Sequence, residues 1–267
     1  MSGLPNSLEP ATRDPKKLRN TAWILVFLAA LGSVLVMIDY IQGLRRQEKM
    51  GRPPHVARLE SNFAAMTPDK TAVGLGSLEG KVWFLTTVCL SQPEKSAENI
   101  RVMKLVGAKY ADRDDVHFVI LTVDPDNDLP EKMGVFAELL GLAENAKWWF
   151  LAAGEEPTRG YLKDKLKFGQ VGEDEVDGQS QVVFDSVLGV FDPDRNLRGR
   201  YDFAEAWEVQ EKTLALIAAD EAAYDKLNEK QKAAIDKSRE SVKNLEGLFF
   251  DAVDYVFGEK DGLLEEE

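Results

Sequence analysis

The chain has one cysteine in 267 residues, Cys89, and two histidines, His55 and His117. A single cysteine excludes an internal disulfide, an internal dithiol relay and a cysteine-rich metal centre. Two histidines exclude a histidine-rich metal site and give no basis for assembling a Ser-His-Asp triad. Positive charge is short as well: 33 Lys and Arg face 46 Asp and Glu, a net charge of −13. Such a chain repels phosphate backbones, so nucleic acid is not an expected partner. With 44% hydrophobic and 30% charged residues, the composition is that of a globular protein and not of a disordered one. Compartment cannot be read from one cysteine.

Long apolar runs are absent apart from one. Thr21 to Ile38, TAWILVFLAALGSVLVMI, is 18 residues without a charge. With Tyr40 and Ile41 extending it, a helix here can span a hydrocarbon core of ~30 Å. Trp23 and Tyr40 stand near its ends, as interfacial aromatics do. A cleaved signal peptide has a shorter apolar region and a small-residue cleavage site. The run is therefore read as an uncleaved anchor over residues 21–42, with the bilayer as a partner. Four basic residues precede it (Arg13, Lys16, Lys17, Arg19) and four follow it (Arg45, Arg46, Lys49, Arg52). That balance gives the positive-inside rule nothing to decide.

The remaining charge is unevenly spread. Residues 1–58 hold nine Lys and Arg against four Asp and Glu, and residues 203–267 hold seventeen acids against eight bases. Residues 1–20 read as a polar tail and residues 43–75 as a linker with turn formers. From there the pattern becomes regular. KVWFLTT, VHFVILTV (116–123) and KWWFLA are short apolar runs suited to buried strands. Helical segments fall at 93–111, with Ile100, Met103, Leu105, Val106 and Tyr110 on one stripe, at 129–142 and at 157–169. Two more strands, around 180–192 and 196–201, flank the turn DPDRN. A helix at 204–219 closes the unit. The order β-α-β-α-β-α-β-β-α predicts an α/β, thioredoxin-like fold over residues 76–219. Residues 220–257 carry Tyr224, Leu227, Ile235, Val242, Leu245, Leu248, Phe249, Val253 and Val256 at helical spacing. They form a helical extension, packed on its own domain or offered to a partner. Residues 258–267 read as an acidic tail.

Cys89 is the candidate catalytic residue. It lies between a strand and a helix, where a helix dipole can favour the thiolate. Alone, it cannot shuttle two electrons through its own disulfide, and a small buried hydrophobe is the competing reading. His117 alternates with Phe118 on a strand, and His55 lies in the linker. His117 reads as a satisfied or solvent-facing histidine, and His55 as inert. The run DPDND, Asp124 to Asp128, lacks the glycine and distal glutamate of a calcium loop. It reads as a turn in which Asp128 caps the helix at Pro130. GLGSLEG, Gly74 to Gly80, precedes a strand and so lacks the context of a phosphate loop.

Four stretches together carry a family resemblance: GKVWFLTTVCLSQP, FVILTVDPDNDLPEKMGVFAELLG, WWFLAAG and GVFDPDRNLRGRYD. Over about residues 75–218 the chain resembles the SCO/SenC family of membrane-anchored, thioredoxin-like copper-handling proteins linked to cytochrome c oxidase assembly. The resemblance implies the thioredoxin-like fold, a single-pass anchor in the cell membrane, an extracytoplasmic soluble domain and a partner in respiratory-complex assembly. It also implies copper, held by a Cys-x-x-x-Cys pair and a histidine, and here the sequence departs from the pattern. Anchored on Cys89, the second cysteine position falls on Pro93. Anchored on Pro93, the pair falls on Val88 and Gln92. The histidine position falls near Phe184 or Asp185. With those ligands missing, no cofactor is expected. The expectation is a membrane-anchored binding or assembly factor without copper or dithiol chemistry. The alternative is a single-cysteine thiol enzyme using Cys89.

Overall fold

Two strands set the architecture because every residue in them is buried. β4 (Val82–Val88) and β5 (Val116–Thr122) each have all seven positions enclosed. Strands apolar on both faces belong in a sheet covered on both sides. They pair in parallel, Val82 opposite Val116 through Val88 opposite Thr122. The computed structural model describes residues 52–176 and 179–263. In chain order its first elements are β1 (Ala57–Arg58), β2 (Ala64–Met66), β3 (Ala72–Gly74), β4, α1 (Glu94–Lys109), β5, α2 (Pro130–Leu139), β6 (Trp148–Leu151) and α3 (Glu155–Gly160). A π-helical turn (Tyr161–Lys165), β7 (Val171–Val176), β8 (Gln179–Phe184), β9 (Leu188–Phe191) and β10 (Asn196–Tyr201) follow. The last elements are α4 (Phe203–Ala219), α5 (Glu221–Asp225), α6 (Glu229–Arg239) and α7 (Ser241–Lys260).

The main sheet has the order β1-β10-β9-β4-β5-β6. β6 is parallel to β5, while β9, β10 and β1 run antiparallel to their neighbours. A β-α-β unit, β4-α1-β5, thus lies beside a hairpin, β9-β10, that leads into α4. That is the thioredoxin-like α/β arrangement expected. Among the described residues β7 and β8 pair only with each other.

The two-residue period of the strands sorts the core into two layers. Val82, Phe84 and Val88 face Ile100, Val102, Met103 and Val106 of α1, with Phe203 of α4. Trp83, Leu85 and Cys89 face the opposite layer, with Leu59, Phe63, Leu75, Leu78 and Phe168. On α1, Val102 takes the buried place expected of Leu105, which is 42% exposed. The turn at 192–195 closes with Arg195 N–H donating to Asp192 O at 3.0 Å. Arg195 sits in the left-handed region at φ 64°.

Three boundaries differ from expectation. The stretch read as a linker over 43–75 is part of the fold from residue 57: β1 pairs with β10, and Leu59, Phe63 and Leu75 are buried. Its strands are only two or three residues long, too short to show a period, so they give no strand signal. The strand expected at 180–192 is two strands, broken at Asp185–Val187, and β8 turns away to pair with β7. The segment 258–263 is not all a tail, because α7 runs to Lys260.

The helical extension packs on its own domain. Phe249, Val253, Val256 and Phe257 of α7 join the same core layer as Phe84 and Phe118. The Phe249 ring meets Phe84, Tyr201 and Phe203 at centroid distances of 6.1, 5.0 and 5.6 Å. Side chains of this kind contribute about 1.5–3 kcal/mol each when fully buried. Ion pairs fix the end of the helix. Arg198, buried in β10, bonds Asp192 at 3.1 Å and also Glu259. Arg113 pairs with both Asp115 and Asp261, and Lys260 reaches Asp115. The expected anchor, residues 21–42, lies outside the described residues, as does the polar tail before it. Among the described residues no helix is long and apolar enough to cross a membrane.

Candidate functional site

In an α/β sheet the loops at the carboxyl ends of parallel strands are the usual place for a ligand. Here those loops are residues 89–93 after β4 and 123–129 after β5. They meet. The first turns tightly, with Gln92 N–H donating to Cys89 O at 2.9 Å, and Pro93 stands directly before α1. The second turns on Asp124, whose carbonyl accepts from Asn127 and Asp128 N–H at 3.1 and 2.7 Å. Its carboxylate accepts from the Asn127 amide at 3.0 and 3.1 Å.

Asp128 joins the two loops. Its Oδ2 accepts from Leu90 N–H at 2.9 Å and from the Thr122 hydroxyl at 2.7 Å. It is therefore not the cap of α2 that the sequence suggests: α2 starts at Pro130, and its N-cap position is Leu129, which has no side-chain cap bond. The carboxylate is used instead to hold the backbone beside Cys89. Burial pushes the Asp128 carboxyl up, against the pull of the Leu90 and Thr122 bonds.

Cys89 is fully buried. Its Sγ lies 3.1 Å from Ser91 Oγ and 4.0 Å from Asp124 Oδ2. Burial pushes the thiol up; the Ser91 bonds oppose this and the Asp128 and Asp124 charges add to it. A helix N-terminus can stabilise a thiolate, but here the burial and the two carboxylates favour the neutral thiol.

Over these loops lies a cleft of about 980 Å³. Ser91, Gln92, Glu94, Asp124 and Asp128 line one side, and Glu173, Ser180, Gln181 and Val182 of the β7-β8 hairpin line the other. Among the described residues that line it, Lys132 is the one base. The amide of Gln92 crosses the cleft and donates to Val182 O at 2.8 Å. Phe184 is buried in the same apolar layer as Cys89, and Lys95 Nζ sits 5.3 Å from its ring centroid. Asp185, beside it, accepts from Gln170 N–H at 2.7 Å through its carboxylate.

Beneath the cleft runs a buried polar cluster that the residue pattern does not announce. Asn99 donates to Thr86 Oγ1, Ser186 O and Ser186 Oγ at 3.1, 2.8 and 2.9 Å. Ser96 Oγ donates to Thr87 O at 2.7 Å. These bonds bolt the start of α1 to the strand β4 and to the 185–187 break. The one signal available was position: Ser96, Asn99 and Met103 share a helix face at three- and four-residue steps.

Neither histidine is near. His117 stands at the start of β5, the end opposite Cys89. It is buried with its ring edge-on to Trp149 at 4.3 Å, and its Nε2 has no hydrogen-bond partner among the described residues. Burial, reinforced by the Lys81 charge, pushes its pKa down to about 3. His55 lies by Asp192, Arg198 and Glu259 at the β9-β10 turn. Gly80 N–H donates to Pro193 O at 2.9 Å, which places that turn beside the start of β4. Among the described residues no group of three or more His, Cys, Asp and Glu side chains is placed to hold a metal ion.

No family model matches the chain, and no curated protein matches it. Solved structures do. BsSco, a member of the Sco family of cytochrome c oxidase assembly proteins studied for a disulfide switch, is 22% identical over 57% of this chain and 87% of its own, with a TM-score of 0.45. A SCO1/SenC family lipoprotein from Bacillus anthracis is 23% identical over 55% of this chain and 86% of its own, with a TM-score of 0.42. ScoI from Bradyrhizobium japonicum, solved with copper bound, is 17% identical over 53% of this chain and 87% of its own, with a TM-score of 0.40. Sco and SCO1/SenC proteins are thus among the solved proteins that this chain is similar to.

Proposed function

We propose that the chain is a membrane-anchored, extracytoplasmic binding factor in cytochrome c oxidase assembly that works without bound copper and without dithiol chemistry. The observation that carries this reading is the closed state of the loop after β4. Its one thiol is buried among apolar side chains and held as the neutral form, and its neighbours are occupied by one another. The resemblance of residues 75–218 to the SCO/SenC family supplies the process, and the apolar run at 21–42 supplies the anchor.

The residues present do not fit a copper ion. Cu(I) favours soft donors, thiolate, thioether or imidazole. The loop offers one buried thiol beside two carboxylates, which are hard donors. Asp128 is already committed to Leu90 and Thr122. At the remaining ligand positions that the resemblance implies, Gln92 binds Val182 and Phe184 packs in the apolar layer. A thiol enzyme built on Cys89 is disfavoured by the same burial.

What remains is a surface. The cleft walls offer amides, hydroxyls and carboxylates arranged by rigid strand ends, which suits recognition of a polar partner segment. The test is genetic and spectroscopic. Deleting the gene in its source organism is expected to lower the haem absorbance of assembled oxidase. Wild-type chain and Cys89→Ser are both expected to restore it. Unchanged oxidase after deletion refutes the assembly role. Failure of Cys89→Ser alone, at normal protein level, supports thiol chemistry instead. Stoichiometric Cu(I) retention by the full chain, lost in Cys89→Ser, overturns the copper-free reading.

A further inference from the structure

The β7-β8 hairpin stands apart from the main sheet, and one edge of β8 is open. Among the described residues its two strands pair only with each other, Val182 opposite Glu173 and Ser180 opposite Glu175. In an antiparallel pair, residues that bond the partner strand alternate with residues whose N–H and C=O point away from it. Asp185 N–H donates to Gln170 O at 2.8 Å, so Asp185 belongs to the first set. Val182 belongs to the second, because its carbonyl accepts from the Gln92 amide at 2.8 Å across the cleft. By the same alternation the N–H groups of Ser180, Val182 and Phe184 point away from β7. Among the described residues the Gln92 amide supplies the one hydrogen bond that this edge receives. It sits where the N–H of an added strand would sit. Ser180 and Val182 line the cleft of about 980 Å³, so the edge opens onto it. Natural sheet edges are blunted by charge or proline; β8, QSQVVF, has neither.

The charge of the cleft selects what can be added. Glu94, Asp124, Asp128 and Glu173 line it against Lys132. Glu173 pairs with Arg159 at 3.1 Å. Glu94, Asp124 and Asp128 have no ion-pair partner among the described residues, and Lys132 turns its ammonium to Asn127 O at 2.7 Å. A second copy on the same edge would bring two such clefts together, and like charge opposes that. We propose that β8 takes up an extended, lysine- or arginine-rich segment of a partner protein as an added strand. The segment's backbone bonds Ser180 and Val182, and its basic side chains are drawn by Glu94 and Asp124. In strand addition the main-chain bonds give affinity and the side chains give specificity. This rests on the reading of the cleft as a recognition surface and names the chemistry of what it recognises.

The full chain in dodecyl maltoside micelles is titrated against short fluorescent peptides with capped ends, and binding is followed by anisotropy. The probe alternates Lys and Val. One control has Glu in place of Lys. Another has Pro in place of Val, which keeps the charge and removes N–H groups that a strand needs. The Lys-Val peptide is expected to bind well below ~1 mM and both controls at least about fivefold more weakly. Ser180→Pro removes an N–H that faces the cleft and none of the β7-β8 bonds, a place where an edge strand tolerates proline. It is expected to weaken binding about three- to tenfold, while Ser180→Ala stays within about twofold. Glu94→Lys is expected to weaken binding about threefold. Four results overturn the proposal: no binding of the Lys-Val peptide at ~1 mM, equal binding of either control peptide, a Ser180→Pro affinity equal to wild type, or a dimer of the full chain that Ser180→Pro disperses, which would give the edge to a second copy. If Ser180→Pro does not fold, the Lys-Pro peptide against the Lys-Val peptide decides the matter. Unchanged oxidase after gene deletion, with the Lys-Val peptide still bound by the chain, refutes the assembly role and leaves this proposal standing.

Discussion

Lowering pH from 7 to 5 should destabilise this fold, and His117 should account for a defined part of the loss. The folded imidazole stays neutral down to about pH 3, while in the unfolded chain it takes up a proton near 6.5. Between those values the unfolded state binds more protons than the native state. Stability from this group is therefore complete above pH 6.5 and is lost as pH falls toward 3. From pH 7 to pH 5 the loss works out at about 2 kcal/mol, a roughly 25-fold change in the folding equilibrium. Carboxylates contribute to the total as well, so the comparison must be with His117→Phe, which keeps a flat ring against Trp149. Urea unfolding of both proteins at pH 7 and pH 5 gives a difference of differences near 2 kcal/mol. Equal losses in the two proteins, within about 0.5 kcal/mol, would refute a buried neutral imidazole. The His117 ring proton in an NMR titration should also stay unshifted down to pH 4.

Phe249→Ala should cost about 3–5 kcal/mol in urea unfolding, because the ring is fully enclosed between β4, β10 and α4; a cost under 1 kcal/mol would make α7 a detachable appendage. Arg198→Ala should cost about 3–5 kcal/mol, since Arg198 is 1% exposed and its removal strands the 4% exposed Asp192 without its cation. Arg198→Met with Asp192→Leu should recover much of that, and a double variant no better than Arg198→Ala would contradict it. Arg195→Gly should raise stability by about 0.5–1 kcal/mol by relieving a left-handed φ of 64°. A fall in melting temperature would show that the Arg195 side chain matters more than its backbone.

The parts of the fold legible in the sequence are those with a strong period or none at all. β4, β5 and β6 are unbroken apolar runs, and α1, α2 and α4 have turn residues at their ends. β1 to β3 are different: each is only two or three residues long, and the buried Leu59, Phe63 and Leu75 stand just outside them, where no strand period marks them as core. The break at Asp185–Val187 was hidden for a related reason. Val182 to Val190 reads as one strand by composition, yet Ser186 is drawn into the Asn99 cluster and splits it. At the site, Cys89 and its lack of a partner were plain from the outset, as was the absence of a nearby histidine. The bond from Asp128 to Leu90 and the clasp from Gln92 to Val182 were not, because each joins residues on different loops. A local pattern favoured a helix cap for Asp128, and tertiary proximity won.

The closing helix has a consequence for how the chain is made. Tyr110 bonds Asp254 across 144 residues of sequence, and Phe84 and Phe118 meet Phe249 and its neighbours over similar spans. At ~5–20 residues per second, a ribosome takes about 7–30 s to travel from the first partner to the second. Through that interval the aromatic side of the sheet has strands but lacks its final cover. The nascent chain thus carries an open greasy surface until α7 has been made, and a stop anywhere before α7 yields a product fit for a protease or a chaperone, not a smaller version of the protein.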